Sequence, residues 1–341
     1  MTVTLKQVAE RAGVSRSAVS RAFTDGASVS LKMRRKVEKA AAELGYQPNA
    51  LASSLTTGRT KLIGLVSSNF HNPLFLEIFD LFTRGLQSRG LRPLLVNVSD
   101  DTSPADSIAM LKQYSVDGVV IASSTLPANF AEAFRNAGVP VVHSFGRFSN
   151  QPNVHVVGIN NADCGRLAVR ELHARGYRRI GFMGGPAQAT STQDRLQGFL
   201  AEADSLAELT VSHSFAESYT FEAGRAEMQR LLTGPLAEAY FCGDDVLSIG
   251  AISALQDGGH KVPADVGVMG LNDMEMASWA NIQLTTIRQP IKQIIDASVE
   301  LVVDTLNDPD RYPEVRLFPC HLVERDTLRP VPPRQSLSGL D

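Results

Sequence analysis

Short runs rich in valine and isoleucine alternate with longer helical stretches from Lys61 onward, and this alternation restricts the fold more than any other feature. Strands separated by helices predict parallel sheets that helices cover on both faces. Two rounds of the pattern meet near Gly158–Asn161, which predicts two similar α/β subdomains, each a doubly wound parallel sheet. The predicted strands are Leu62–Val66, Leu94–Val98, Gly118–Ile121, Val139–Val142, Val154–Ile159, Ile180–Met183, Ala239–Cys242 and Val266–Gly270. The predicted helices are Leu74–Arg89, Ser107–Gln113, Phe130–Ala137, Cys164–Arg175, Gln193–Ala203, Phe221–Leu232, Val246–Gln256 and Ile291–Leu306.

The first 45 residues follow a different pattern, that of three short helices. Thr4 and, three residues later, Gln7 form a capping box ahead of a helix with one apolar face. After a glycine turn, Ser15 is a good N-cap for a second helix, and Ser30 for a third helix at Leu31–Leu44. A compact pair of helices followed by a third predicts a small all-α head of the helix-turn-helix type.

The charge of the chain is unevenly distributed. Residues 1–60 hold ten Lys and Arg against four Asp and Glu, a net charge of +6, so the remainder carries −9 of the total of −3. A basic head on an acidic body favours a head that binds a polyanion. The exposed face of the second helix offers Arg16, Ser17, Ser20 and Arg21, and an arginine there can pair with the edge of a guanine. Further basic residues of the head, Lys6, Arg34 and Lys36, are candidates for phosphate contacts.

The strings TLKQVAERAGVSRSAVSRAF and ELGYQPN, with the segment that follows them, resemble the head and hinge of the lactose/galactose repressor family of bacterial regulators. The resemblance extends to about Arg325. It implies that Arg16 and Ser17 read bases, and that a hinge helix enters the minor groove, where Leu55 wedges between base pairs beside Ala52. The family usually has Thr at Ala18 and often Arg at Ser53, and the second change would weaken a backbone contact. The residues expected to contact DNA are Thr4, Lys6, Ser15, Arg16, Ser17, Ser20, Arg21, Asn49, Ala52 and Leu55.

The resemblance also implies a domain plan. We predict a helix-turn-helix domain at residues 1–46, a hinge helix or linker at 47–60, an effector-binding and dimerisation core at 61–329 and a disordered tail at 330–341. The core resembles periplasmic binding proteins, with an N-subdomain at about 61–158 and 290–318 and a C-subdomain at about 159–289 and 319–329. The expected partners are a palindromic DNA operator and a second copy of the chain, with Leu74–Arg89 as a candidate interface helix.

Ligands of open α/β sheets bind beyond the carboxyl ends of the strands, so the residues that follow each strand are the candidates for a pocket. Many of them are hydrogen-bonding residues, as a polar ligand requires. The motif Asp194-Arg195-x-x-Gly198-Phe199 matches one whose arginine binds the effector in the family, while Asp245 is a candidate helix N-cap. The residues expected to contact the effector are Asn72, Phe75, Ser144, Asn160, Arg195, Tyr219, Asp244 and Asn272.

The effector class stays open, because the family often has Asp where this chain has Asn272. A sugar or polyol is the first hypothesis, and a purine or other corepressor is the alternative. A regulator that has lost ligand response, and an exported sugar-binding transport protein, are further alternatives. The transport protein is disfavoured by the basic head and by a start that shows no export signal, which leads us to expect a cytoplasmic protein without a membrane partner.

An enzyme is not expected. The sequence has no phosphate-binding glycine loop, no HExxH and no G-x-S-x-G motif, so no catalytic residue is proposed. The seven His are scattered and the three Cys (Cys164, Cys242 and Cys320) are isolated along the chain, so neither a metal nor a cofactor is expected. The sequence predicts that each cysteine is a small buried apolar residue.

Overall fold

A computed structural model describes residues 3–24, 27–49, 54, 57–68, 70–98, 103–206 and 208–332. The chain divides into two units, which are treated separately below. One unit contains the chain up to Lys61 together with Ser115–Asp117, and the other contains the rest. Ser115–Asp117 join the first unit because the Asp117 carboxylate accepts hydrogen bonds from the backbone N–H groups of Thr60 and Lys61, at 3.0 and 2.8 Å.

The first unit contains the three predicted helices, α1 (Leu5–Ala12), α2 (Arg16–Ala22) and α3 (Leu31–Leu44). The capping box of Thr4 is present, and left-handed glycines end α1 and α3. The hydroxyls of Ser15 and Ser30 cap α2 and α3, as predicted. Small apolar side chains let the helices pack closely, and they form the core of the head: Val8, Ala9, Ala12, Val19, Ala22, Val37, Ala40 and Ala41.

The second unit contains two six-stranded sheets with helices between consecutive strands. The strands are β1 (Leu62–Ser67), β2 (Arg92–Asn97), β3 (Gly118–Ala122), β4 (Val141–Ser144), β5 (His155–Gly158), β6 (Arg179–Gly184), β7 (Thr210–Phe215), β8 (Ala239–Cys242), β9 (Gly267–Asn272), β10 (Thr286–Arg288), β11 (Val315–Leu317) and β12 (His321–Val323). The helices are α4 (Leu74–Gln87), α5 (Pro104–Gln113), α6 (Ala128–Asn136), α7 (Asn161–Ala174), α8 (Thr190–Ser205), α9 (Phe221–Leu231), α10 (Asp245–Asp257) and α11 (Ile291–Asn307). A single 3-10 turn, Glu275–Ser278, follows β9.

The two sheets have the same strand order. The first is β2-β1-β3-β4-β5-β11 and the second is β7-β6-β8-β9-β10-β12. All neighbouring strands are parallel except β10 and β12, which are antiparallel. We name the part built on the first sheet the N-subdomain and the part built on the second sheet the C-subdomain. The order reverses between β1 and β3 and between β6 and β8, and ligands of such sheets bind at these switch points.

All eight predicted strands and all eight predicted helices of the core are present, with ends that differ by a few residues. Four strands were missed. The edge strand β7 has only two apolar residues, Val211 and Phe215, and β10, β11 and β12 are only three residues long. A three-residue strand is too short to show a hydrophobic period.

The chain passes between the two subdomains three times, after β5, after β10 and after β11. The first and third crossings run side by side, since the Phe318 N–H donates to the Gly158 carbonyl at 2.9 Å. The third crossing is the segment Phe318–Cys320. These crossings are the covalent hinge about which the subdomains can change their relative orientation.

Helices α7 and α8 of the C-subdomain approach each other so closely that glycine is required on both. A Cβ at Gly165 would collide with the backbone carbonyl of Arg195, and a Cβ at Gly198 would collide with the carbonyl of Ala162. Because the colliding atoms are backbone on both sides, no side-chain rotation can relieve the overlap. The contact therefore fixes the start of α7 and the position of Arg195.

We expect Gly198→Ala to lower the free energy of unfolding of the core by about 1–3 kcal/mol, because the methyl group forces the two helices apart. Denaturant unfolding followed by the fluorescence of the single Trp, the half-exposed Trp279 of the C-subdomain, measures this. Gly234→Ala is the matched control, since a Cβ there meets only the Leu231 carbonyl at an ordinary 3.9 Å. Equal midpoints for both variants would contradict the close-packing account.

Candidate functional site

The predicted recognition face of the head lies on α2. Arg16, Ser17 and Arg21 are exposed on this helix, Ser20 is half-buried, and the opposite face is anchored in the core of the head. Lys6 and Asn49 are also exposed. The predicted hinge residues Ala52 and Leu55, like the predicted tail beyond residue 332, lie outside the described residues.

Three predicted DNA contacts of the head also have structural roles. The Ser15 hydroxyl accepts from the Ala18 N–H at 3.2 Å and lies 2.9 Å from the Ser17 hydroxyl. The Thr4 hydroxyl caps α1. Arg34, expected on a phosphate, donates to the Ala22 carbonyl at 2.5 Å, because α3 places its guanidinium at the end of α2. The other donors of the Arg34 guanidinium are not used in this contact, and its role as a phosphate ligand stays a prediction.

A cavity lies between the carboxyl ends of the two sheets, at both switch points. Six of the eight predicted effector residues line it: Asn72, Phe75, Arg195, Tyr219, Asp244 and Asn272. The wall is completed by residues that were not predicted: Leu74, Ile78, Ser124, Phe145, Ile159, Asn161 and Gln289. The sequence does show a weak signal for some of them, since Ser124 and Asn161 follow strands at the same sheet edge.

Two predicted effector residues lie outside the cavity. Ser144 ends β4 with its side chain towards α11, where its hydroxyl donates to Ser298 at 2.7 Å, and the next residue, Phe145, faces the cavity instead. Asn160 caps α7 by accepting from the Ala162 N–H at 3.1 Å, and the next residue, Asn161, lines the cavity. In both cases the prediction was wrong by one position.

The Asp244 carboxylate joins the two subdomains. Its Oδ1 accepts from the Val246 N–H at 2.8 Å and so caps α10. Its Oδ2 accepts from the side-chain amide of Asn72 in the N-subdomain at 3.0 Å and from that of Asn272 in the C-subdomain at 2.8 Å. Asp244, and not Asp245 as considered from the sequence, is therefore the helix cap.

Asp245 holds the loop after β9. Its Oδ2 accepts from the Met274 N–H at 2.7 Å and its Oδ1 from the Thr286 hydroxyl at 2.5 Å. Asp273, which lies in this loop, forms ion pairs with Arg288 and Arg325, at 2.5 and 2.6 Å. These bonds fix the backbone of Asn272 and Asp273, which have positive φ angles of 122° and 59°. Such conformations are costly outside glycine and persist only where the surroundings impose them.

Burial dominates the titration of the two adjacent carboxyls. It raises the pKa of Asp244 to about 6, although its hydrogen bonds and the Arg195 charge act in the opposite direction. Burial, aided by the charge of Asp244, raises the pKa of Asp245 to about 7. Charged carboxylates at this depth need compensating donors, and the cavity supplies them from both subdomains.

Arg195 is buried and held at two points. Its Nε donates to the Asn161 side chain at 2.8 Å and its Nη1 to the Gly243 carbonyl at 2.7 Å. Its Nη2 makes no hydrogen bond within the described part of the chain, while the residue lines the cavity. The guanidinium is thus preoriented, with donor capacity that a ligand oxygen can use.

Aromatic side chains form the less polar wall of the cavity. The Tyr219 hydroxyl is 2.6 Å from the Thr192 hydroxyl, which fixes the ring. Phe75 lies at the start of α4, and Phe145 adopts a positive φ of 65° after β4. Outside the cavity, Arg147 adds a second link between subdomains, because its guanidinium pairs with Asp194 of α8 at 2.6 Å.

The open space between these side chains is small. The cavity has a volume of about 30 Å³, whereas small-molecule pockets span roughly 300–1,000 Å³. A ligand larger than a water molecule therefore has to separate the facing side chains, and the bonds from Asp244 to Asn72 and Asn272 are the ones in its way.

Comparison with known proteins agrees with this architecture. Residues 4–49 match the model of bacterial regulatory proteins of the lacI family, and residues 169–328 match that of a periplasmic binding protein-like domain. The HTH-type transcriptional repressor PurR of Proteus mirabilis is 32% identical over 330 residues, which cover 94% of this chain and 96% of that repressor. The chain belongs to the LacI family of bacterial transcription regulators. It is a DNA-binding regulator with an effector domain, and it is not an enzyme.

Solved structures of LacI-family proteins share the fold. The Lac repressor dimer bound to operator and the anti-inducer ONPF is 28% identical, with a TM-score of 0.84 over 96% of this chain and 99% of that chain. A complex of the transcriptional regulator CelR with cellobiose is 30% identical, with a TM-score of 0.70 over 95% of this chain and 99% of that chain. The predicted fold class, a helix-turn-helix head with two parallel-sheet subdomains, is confirmed. In the described part of the LacI-family chain, no helix is long and apolar enough to cross a membrane.

We expect the stability that Asp244 contributes to this LacI-family core to fall as pH rises. Because folding raises the pKa of this group from 3.8 to about 6, its contribution is complete below pH 3.8 and is lost as pH rises through about 6. Relative to D244N, which cannot ionise at this position, wild type should therefore lose unfolding free energy from pH 4 to pH 7. Denaturant unfolding of both variants at each pH measures this, with exposed Asp326→Asn as control. A wild type that gains unfolding free energy relative to D244N as pH rises would show that the carboxylate is stabilised by its donors more than burial penalises it.

Proposed function

We propose that this LacI-family protein is a homodimeric repressor whose affinity for a palindromic operator is controlled by a small polar ligand, a sugar or polyol, bound between the core subdomains. The observation that carries the proposal is the convergence of Asp244, Asn72, Asn272 and Arg195 on one cavity. These groups come from both sheets, so a ligand that contacts all of them is sensitive to the orientation of the subdomains.

The chemistry of the cavity supports a polyhydroxylated ligand. The Asp244 carboxylate is an acceptor for hydroxyl hydrogens, and the two asparagine amides both donate and accept. The guanidinium of Arg195 can donate to two neighbouring ligand oxygens. The rings of Phe75 and Tyr219 supply apolar surface for the C–H faces of a sugar ring. The structure of CelR with cellobiose, a relative with this fold, supports the same ligand class.

The small cavity supports a mechanism of control. A ligand hydroxyl on Asp244 replaces the amides of Asn72 and Asn272, which removes the Asp244–Asn72 bond between the subdomains and substitutes ligand-mediated bonds. The closure angle that suits the ligand then differs from the angle that suits the unliganded network. A ligand that favours one angle shifts the population of the chain towards it, and coupling of this kind is typically worth about 1–3 kcal/mol.

On DNA, we propose that Arg16 and Ser17 read base edges in the major groove, together with Ser20 and Arg21 of the same helix. Thr4, Lys6, Ser15 and Asn49 are proposed to contact the backbone, which sets register without reading sequence. The proposed hinge wedge of Leu55 beside Ala52 would kink the centre of the operator. Two heads related by a two-fold axis require an operator with the same symmetry.

In vitro selection of random duplex DNA by the full-length chain tests the DNA half of the proposal. We expect a palindrome whose two half-sites are each read by one head. Stabilisation of the core against heat by members of a panel of sugars, polyols and purines tests the ligand half. Stabilisation by purines alone would replace the sugar hypothesis by the corepressor alternative.

We expect Arg16→Ala to cost roughly 1–3 kcal/mol of binding free energy on the selected operator and to relax the preference at one base pair of each half-site. Binding to operators mutated at single positions measures both effects. Lys39→Ala is the control, because Lys39 is equally exposed but lies on α3, and we expect it to change affinity equally for all sequences. Unchanged base preference in R16A would remove Arg16 from base readout.

We expect Arg195→Lys to weaken binding of the identified ligand by roughly tenfold or more, since hydrogen bonds from charged groups are worth about 1.5–3 kcal/mol. Calorimetry measures ligand affinity, and operator affinity without ligand should stay within about twofold of wild type. Arg170→Lys is the matched control, because Arg170 is exposed on the neighbouring helix α7 and pairs only with Glu202 among the described residues. Equal ligand affinity in R195K and wild type would exclude Arg195 from the pocket.

A further inference from the structure

Two cysteines that are far apart in the sequence meet at the hinge. Cys164 is buried in the first turns of α7, and Cys320 is half-buried at the end of the third crossing. Both side chains line the same cavity, and Cys320 packs against the buried cluster that contains Cys164. The third cysteine, Cys242, is fully buried in β8.

The cysteine pair lines a cavity of its own. The cavity has a volume of about 210 Å³, and its lining includes Cys164, Cys320, Phe318, Pro319 and the acidic Asp163. Pro319 is exposed and Cys320 half-buried, so this cavity opens at the protein surface. It is large enough for a small polar oxidant to reach both sulfur atoms.

The surroundings give the two sulfur atoms different roles. The neighbouring Cys320 thiol and the charge of Arg195 lower the pKa of Cys164, although burial and the Asp163 carboxylate oppose them. Its place four residues after the cap Asn160 puts it near the N-terminus of α7, which also favours a thiolate. The Cys164 thiol, burial and the Asp163 carboxylate all raise the pKa of Cys320. Cys164 is therefore the thiol that reacts first with an oxidant, and Cys320 is the thiol that then attacks the oxidised Cys164.

We propose that Cys164 and Cys320 are a peroxide-sensitive pair that forms an intramolecular disulfide across the hinge. The Cys164 thiolate attacks one oxygen of hydrogen peroxide, the O–O bond breaks, and Cys164 becomes a sulfenic acid as hydroxide leaves. Cys320 loses its proton and attacks the Cys164 sulfur, which forms the S–S bond and expels the sulfenic oxygen as water. Overall, two thiols and one peroxide give one disulfide and two waters.

The disulfide would tether α7 of the C-subdomain to the third crossing, beside the first crossing at Gly158. The same helix begins with Asn161, which holds Arg195 in the ligand cavity. Oxidation would therefore restrict the hinge motion on which ligand control depends. This consequence rests on the proposed function, whereas formation of the disulfide does not.

The test uses the reduced full-length chain, treated with limiting hydrogen peroxide, alkylated, digested without reduction and mapped by mass spectrometry. We expect free thiols to fall from three per chain to one, with a Cys164–Cys320 peptide that lacks two hydrogen atoms. Cys242 should remain a thiol, because it is inaccessible in β8. In Cys320→Ser the sulfenic acid of Cys164 should persist and react with dimedone.

Recovery of Cys164 and Cys320 as alkylated thiols after peroxide, or cross-links only between chains, would overturn the proposal. Cys242→Ser should form the Cys164–Cys320 disulfide as wild type does, and its failure to do so would also count against the pair. Ligand calorimetry on the oxidised chain then separates the two claims: a disulfide without any change in ligand affinity would remove the hinge consequence and leave the modification site in place.

Discussion

The core depends on the hydrogen bonds that the buried carboxylate of Asp244 accepts. One oxygen fixes the start of α10, and the other holds amides from both subdomains. Burial makes its charge expensive, so the geometry around it has to supply donors whichever way the subdomains are oriented. In the proposed mechanism, a ligand that supplies its own hydroxyl hydrogens replaces the amides of the protein on this carboxylate and so changes the bonding between the subdomains.

The backbone around this carboxylate is held under strain. Asn272, Asp273 and Phe145 adopt positive φ angles without being glycine, and two of the three line the cavity. Conformations of this kind cost of order 1–3 kcal/mol each and are concentrated at functional sites. The ion pairs of Asp273 with Arg288 and Arg325 keep the loop in place, so the donors of the cavity are preorganised before a ligand arrives.

The sequence predicted the fold because long periodic helices and buried valine-rich strands are determined by local patterns. Individual side-chain directions are not, since they depend on how each strand ends. The sequence analysis predicted that Asn160 and Ser144 contact the ligand, whereas the next residues, Asn161 and Phe145, line the cavity. At a strand end, neighbouring side chains point in different directions, so a shift of one residue decides which one faces the cavity. The meeting of Cys164 and Cys320 could not be predicted either, because it depends on the path of the third crossing between sheets.

We propose that ligand binding in the cavity and operator binding by the head are coupled through subdomain orientation, and reciprocal binding measures this coupling most directly. Operator affinity of the full-length chain is measured with and without saturating ligand, and ligand affinity with and without saturating operator. If the two sites are coupled, ligand changes operator affinity by the same factor as operator changes ligand affinity, typically about 5–150-fold. Operator affinity that ligand does not change, together with ligand affinity that operator does not change, would contradict the account.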